Sequence, residues 1–128
     1  MKHLIMFLIF LSPALMVTAT QDLDNISKAI SKGDAEALSS YFDSNIEISI
    51  LDEEDFYDKG QAKAVVKKFF TRNQPKSFNL VHKGSSKGKD SKYFIGNLTA
   101  GGNTYRVYVY MKVSNGKPLI QELRFDEE

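Results

Sequence analysis

The chain has 128 residues, 17 Lys and Arg against 16 Asp and Glu, and no cysteine. That length suits one domain with one core, and the missing cysteines exclude a disulfide scaffold, a thiolate metal site, a cysteine nucleophile and a lipidated-cysteine anchor. Past residue 19 the only histidine is His82, which excludes a multi-histidine metal centre, so no metal and no cofactor are expected.

The chain opens with Lys2 and His3, an apolar run from Leu4 to Leu11, a Ser12-Pro13 break, and Val17-Thr18-Ala19 with small residues at the −3 and −1 places. This three-part pattern reads as a secretory signal peptide over residues 1–19. A membrane anchor would need about 20 unbroken apolar residues, which this stretch lacks. The mature domain is then residues 20–128, periplasmic or secreted in a bacterium, with no membrane span after cleavage.

From Asp22 to Ser31, Leu23, Ile26 and Ile30 recur at helical spacing, with Asp22 as N-cap and Gly33 as the stop. A second short helix starts at Asp34 and carries Ala35, Leu38, Tyr41 and Phe42 on its apolar face. Asn45 to Leu51 alternates, with Ile46, Ile48 and Ile50 on one side, as a half-buried strand does. The acidic stretch Asp52 to Asp55 reads as a solvated turn, because four consecutive acids point in different directions and cannot wrap a calcium ion. A third helix follows over Gly60 to Thr71, with Ala62, Val65, Val66, Phe69 and Phe70 as its stripe and Pro75 closing it. Four strands complete the chain, at Ser77–Lys83, Lys92–Thr99, Thr104–Val113 and Leu119–Phe125. Helices gathered on one side of an antiparallel sheet make this an α+β domain.

Turn chemistry predicts the sheet faces. Gly101-Gly102 suits a two-residue hairpin that sets Leu98 opposite Tyr105 and Asn97 opposite Arg106. For the next hairpin, a two-residue Asn115-Gly116 loop sets Val107 beside Arg124, mixing charge into an apolar face. A three-residue loop over residues 114–116 sets Val107 beside Leu123 and Met111 beside Leu119, and is preferred. One face then holds Phe94, Leu98, Val107, Val109, Met111, Leu119, Leu123 and Phe125. The other holds Tyr93, Ile95, Asn97, Arg106, Tyr108, Tyr110, Ile120, Glu122 and Arg124, and is too apolar for an idle solvent surface.

The segments AISKGDAEALSSYF (Ala29–Phe42) and YDKGQAKAVVKKFF (Tyr57–Phe70), a strand between them and four strands after them, resemble the nuclear-transport-factor-2-like (NTF2-like, or cystatin-like) superfamily. SFNLVHKGSS, YFIGNL, YRVYVYMK and IQELRF resemble, within it, an exported bacterial family of unknown function. The resemblance implies a cone: a curved antiparallel sheet around one long helix, with two short N-terminal helices and a pocket. Because that cone hosts both enzymes and non-catalytic binders, it implies no chemistry.

Within such a cone, strand alternation with Phe78 and Leu80 would point His82 inward, and Gln121 and Tyr105 fall inward by the same register, with Tyr41 and Tyr57 at the mouth. These five are the candidate ligand-binding residues. No Asp or Glu sits at an inward strand position to pair with His82, so a non-catalytic ligand- or partner-binding domain is expected, and a small lyase or isomerase using His82 with an inward tyrosine is the alternative. The outer set Tyr93, Ile95, Arg106, Tyr108, Tyr110 and Arg124 has the Tyr/Arg make-up of an interface core and predicts a homodimer. In the preferred register Arg106 faces Arg124, which calls for a carboxylate between them. Residues 59–92 hold 10 bases and 1 acid, a patch suited to an anionic envelope ligand. Nucleic acid is not expected, since no aromatic-rich nucleic-acid motif is present.

Overall fold

A computed structural model of the chain describes residues 19–86 and 90–128. The segment expected to be a signal peptide, apart from Ala19, and Lys87 and Lys89 of the basic block lie outside the described residues. Helix α1 spans Ala19–Lys32 and buries Ile26 and Ile30 completely. Because it begins at Ala19, Asp22 lies inside its first turn and is not the N-cap. It stops at Gly33 (φ +68°), where the N–H groups of Gly33 and Asp34 donate to the carbonyls of Ile30 (3.1 Å) and Ala29 (2.8 Å). That pair of bonds is a Schellman cap, which needs the left-handed residue. Asp34 then caps α2 (Ala35–Ser39) by accepting from the Ala37 N–H at 3.0 Å.

Strand β1 (Phe42–Ile50) turns through Leu51 and Asp52, both at positive φ, into β2 (Glu53–Asp58). The acidic stretch expected as a turn is therefore mostly a strand. It gives little alternating signal because β2 is a sheet edge, exposed at five of its six residues, where charge is tolerated and blocks further pairing. Asp58 opens α3 (Lys59–Arg72) with a reciprocal capping box: its carboxylate accepts from the Gln61 N–H, and its own N–H donates to the Gln61 side chain. Pro75 begins β3 (Pro75–Ser85), the opposite edge, where a missing N–H costs nothing. Strands β4 (Ser91–Ala100), β5 (Asn103–Ser114) and β6 (Lys117–Glu127) complete a six-stranded curved sheet of order β2-β1-β6-β5-β4-β3. Its ladders are antiparallel except β1–β6, which is parallel.

The Gly101-Gly102 hairpin has the expected register, with Leu98 opposite Tyr105 and Asn97 opposite Arg106. The next hairpin differs. Asn115 and Gly116, at φ 52° and 76°, form a two-residue turn that pairs Ser114 with Lys117. A bulge at Gln121 then adds one residue to β6, so that Val109 faces Leu123 and Val107 faces Phe125. The bulge does what the three-residue loop was invoked to do: it returns the apolar residues to the inner face. Between turn and bulge the facing is reversed from expectation, with Ile120 fully buried and Leu119 half-exposed. Arg106 therefore faces Asp126, and Arg124 faces Tyr108.

All three helices lie on the inner face. The core joins Ile26, Ile30 and Leu38 from α1 and α2 to Ala62, Val66, Phe69 and Phe70 from α3, against Phe94, Leu98, Val107, Val109, Met111, Leu123 and Phe125 of the sheet. Phe69 stacks on Phe125 with ring centroids 4.5 Å apart and meets Tyr105 edge-on at 5.2 Å. Helix α3 is thereby the rod inside the curved sheet.

Candidate functional site

The inner end of the cone opens between the C-terminal half of α3 and the β1–β2 hairpin. A cavity of about 410 Å³ lies there. Its walls are the side chains that alternation turns inward from β1 and β2 (Ile48, Ile50, Glu53, Tyr57) and one stripe of α3, Val65, Lys68, Phe69 and Arg72. The helical residues fall at i, i+3, i+4 and i+7, which is one face. The cavity thus has an apolar floor and a polar rim of Lys68, Arg72, Asn73 and Glu53, the usual composition of a small-molecule pocket. Among the described residues neither Lys68 nor Arg72 has a carboxylate within ion-pair distance, although Glu53 lines the same cavity. Asn73, at the end of α3, accepts through Oδ1 from the Tyr105 hydroxyl (2.9 Å) and donates through its amide to the Phe69 carbonyl (3.1 Å).

The five candidate ligand residues do not converge. Tyr57 lines the cavity. Tyr105 is buried beneath it, its hydroxyl committed to Asn73. Gln121 sits at the β6 bulge and donates to the Asp43 carboxylate at 3.0 Å. Tyr41 lies in a shallow groove beside α1 and α2, with Asn25 and Lys28. His82 does not point inward: a bulge at Val81 pairs Leu80 with Gly96 but His82 with Ile95, which turns the imidazole to the outer face. There its Nε2 lies 2.9 Å from the Tyr93 hydroxyl, both in solvent reach.

Sequence reasoning did not single out Lys68, Arg72 and Asn73 as a group. The i, i+3, i+4, i+7 spacing around Phe69 was the available signal. A second cleft of about 490 Å³ lies between the α1–α2 corner and α3, lined by Lys32, Lys63 and Lys67 with Asp34 and Glu36. It is the weaker candidate, because Lys63 is already paired with Glu36 and the Asp34 carboxylate is committed to capping α2.

Among the described residues no helix lies on the outer face. Tyr93, Ile95, Tyr108 and Tyr110 form a half-buried cluster on β4 and β5, the Tyr93 and Tyr108 rings 6.2 Å apart. Tyr93 lies over Gly84, filling the place of its missing side chain. Burial, with Glu122 nearby, raises the Tyr108 phenol above its ordinary pKa and keeps it neutral. Arg106 pairs with Glu128 at 2.7 Å, and Arg124 lies 3.7 Å from Glu122 and 4.0 Å from Asp126. On the neighbouring strands Glu47 stands directly beside Glu122 and diagonal to Glu54. A side-chain hydrogen bond with Glu54, in which protonated Glu47 donates, then desolvation and the charges of Glu54 and Glu122, raise the Glu47 pKa above its ordinary value, against a smaller lowering by Arg124.

A family model described as a domain of unknown function, DUF4783, matches residues 23–126. A DUF4783 family protein of Bacteroides ovatus has 27% identity and a TM-score of 0.77 over 81% of this chain and 93% of its own. One from Bacteroides fragilis has 26% identity and a TM-score of 0.76 over 81% and 96%. An NTF2-like protein of Cytophaga hutchinsonii, at 14% identity and a TM-score of 0.63 over 85% and 94%, shares the fold. No curated protein matches the chain. No helix of the described residues is long and apolar enough to cross a membrane.

Proposed function

The chain belongs to the DUF4783 family, with an NTF2-like fold, and from that premise we propose that it is an exported, non-catalytic domain that binds a small anionic amphiphile at the cone mouth. The observation that carries this reading is the cavity itself: Ile48, Ile50, Val65 and Phe69 as an apolar floor, with Lys68 and Arg72 one helical turn apart at its rim and free of carboxylate partners among the described residues. An apolar body would lie on the floor, and its anionic group would take charge-assisted hydrogen bonds from the two cations. The alternative built on His82 loses its geometric basis, because the imidazole and its tyrosine face outward, away from this cavity.

The test is calorimetric titration with decanoate, with decanol as the uncharged control. Decanoate binds, decanol binds far more weakly, and Lys68→Glu or Arg72→Glu each lowers decanoate affinity by about tenfold or more. Equal binding of acid and alcohol, or of wild type and both variants, would remove the anionic site. Export is tested by the mass of the protein recovered outside the cytoplasm, which begins at Thr20 if residues 1–19 are cleaved.

A second reading rests on the outer face. The half-buried Tyr93, Ile95, Tyr108 and Tyr110 lie on a sheet surface that no helix of the described residues covers, and such a patch has the composition of a protein interface. A homodimer through this face is the expected assembly. Tyr108→Glu should convert it to monomer in sedimentation, and a wild type that is already monomeric at micromolar concentration refutes it.

A further inference from the structure

The cone mouth has walls of opposite charge. In the β1–β2 ladder Glu53 stands opposite Ile50, Asp55 opposite Ile48 and Tyr57 opposite Ile46. Residues directly opposite in an antiparallel pair share a face, so these three turn with the isoleucines toward α3. The Asp55 carboxylate is engaged locally, accepting from the Phe56 N–H at 2.8 Å, whereas Glu53 and Tyr57 line the cavity. Lys68 and Arg72 line it from α3. Three charges thus share one cavity, two positive on the helix and one negative on the strand, with no ion pair between them among the described residues.

The turn that leads into Glu53 is costly. Ile50 pairs with Glu53 across a two-residue turn, with Leu51 at φ 50° and Asp52 at φ 70°. Such turns favour Asn, Asp and Gly, which reach positive φ most easily. The hairpins at Gly101-Gly102 and Asn115-Gly116 are built that way, but at the cavity a leucine takes the first place. The Leu51 side chain forms part of the cavity wall, and its N–H donates to the Phe125 carbonyl at 2.9 Å. Backbone strain gathers where a ligand is clamped, and here it secures an apolar contact at the mouth beside the Glu53 carboxylate.

An acid held by Lys68 and Arg72 alone brings its carboxylate into the field of Glu53, and like charges in one small site cost affinity. A cation on the same molecule removes that cost and engages the third charge. Resting on the anionic-amphiphile reading above, we propose that the ligand class of this cavity is an apolar α-amino acid: carboxylate on Lys68 and Arg72, α-ammonium on Glu53, and side chain on Ile48, Ile50 and Phe69 with Leu51 at the mouth. An α-amino acid carries its acid, its ammonium and its apolar body on one carbon, and a cavity of about 410 Å³ is large enough for one.

The test compares three eight-carbon acids by calorimetric titration at pH 7: octanoate, 2-aminooctanoate, which adds only the α-ammonium, and 2-hydroxyoctanoate, which puts a neutral donor in its place. Wild type binds 2-aminooctanoate about fivefold more tightly than octanoate, and Glu53→Gln abolishes that gain while holding octanoate at least as tightly as wild type does. The hydroxy acid behaves like octanoate. Retained octanoate binding also shows that the variant is folded. Leu51→Asn, which suits the turn better, raises the thermal midpoint and weakens both octanoate and 2-aminooctanoate; unchanged affinities overturn the role given to Leu51. An amino acid that binds no more tightly than octanoate, a hydroxy acid that gains as much, or a gain that persists in Glu53→Gln overturns the amino-acid assignment and leaves the anionic site standing. If neither these three nor decanoate binds, the cone-mouth reading falls and this inference with it.

Discussion

At Gly96 the backbone of β4 is roofed by the Phe78 ring: an added Cβ would come 2.3 Å from Phe78 Cζ and 2.7 Å from the Asn79 carbonyl oxygen. The ring could swing away, but the backbone oxygen on the paired strand cannot. Gly96→Ala should therefore cost roughly 1–3 kcal/mol in urea unfolding, whereas a neutral result would mean that Phe78 does not seal this part of the sheet. Glu47 provides a pH test. Its pKa is raised in the fold, by the Glu54 hydrogen bond first, so the folded state holds a proton that the unfolded chain releases earlier. As pH rises from the ordinary carboxylate value of 4.5 through the raised value, stability falls. Glu47→Gln at dilute protein should leave stability unchanged well below this window and raise it by about 0.5 kcal/mol at neutral pH, a screened cross-strand repulsion. A variant equal to wild type at neutral pH would show that the carboxylates are kept apart or neutralised.

At the scale of elements, two bulges decide which residues meet which surface. Hydrophobic periodicity located β1, the three described helices and the four last strands, although Phe42, expected on the second helix, opens β1, and the Gly101-Gly102 turn gave its register. Alternation counts in twos and cannot see an inserted residue. Leu119 and Ile120 were thus exchanged, and His82 was turned inward when the extra Val81 turns it out. The cavity rim was hidden for a different reason: Lys68 and Arg72 look like any solvated lysine and arginine until β1 and β2 are folded opposite them. Strand β2 itself was masked by its edge position, where exposed acids are stable. Because Gln121 is the inserted residue, deleting it should leave Ile120 and Leu123 facing inward. Such a deletion still unfolds cooperatively, losing mainly the Gln121–Asp43 bond, while deletion of Tyr108 inverts half of β5 and prevents folding. If both deletions behave alike, the bulge does not set the register. The capping box gives a smaller test: Asp58→Ala should lower stability by about 1 kcal/mol, and an unchanged urea midpoint would deny the cap that role.

At the scale of the whole molecule, one face of the sheet is spent on the α3 rod and no helix of the described residues covers the other, so the cone offers a cavity at its mouth and a tyrosine-bearing surface on its back. The two are independent, since Lys68 and Arg72 lie on the helix side and Tyr108 on the opposite face. Tyr108→Glu should accordingly leave decanoate binding intact, and Arg72→Glu should leave the dimer intact. The most direct test of the central claim is native mass spectrometry of the protein expressed from its full sequence and recovered gently from cells and medium. The account predicts a small acidic molecule bound to each copy of the wild type and absent from Lys68→Glu and Arg72→Glu; wild-type protein that takes up neither a cellular acid nor added decanoate would contradict it.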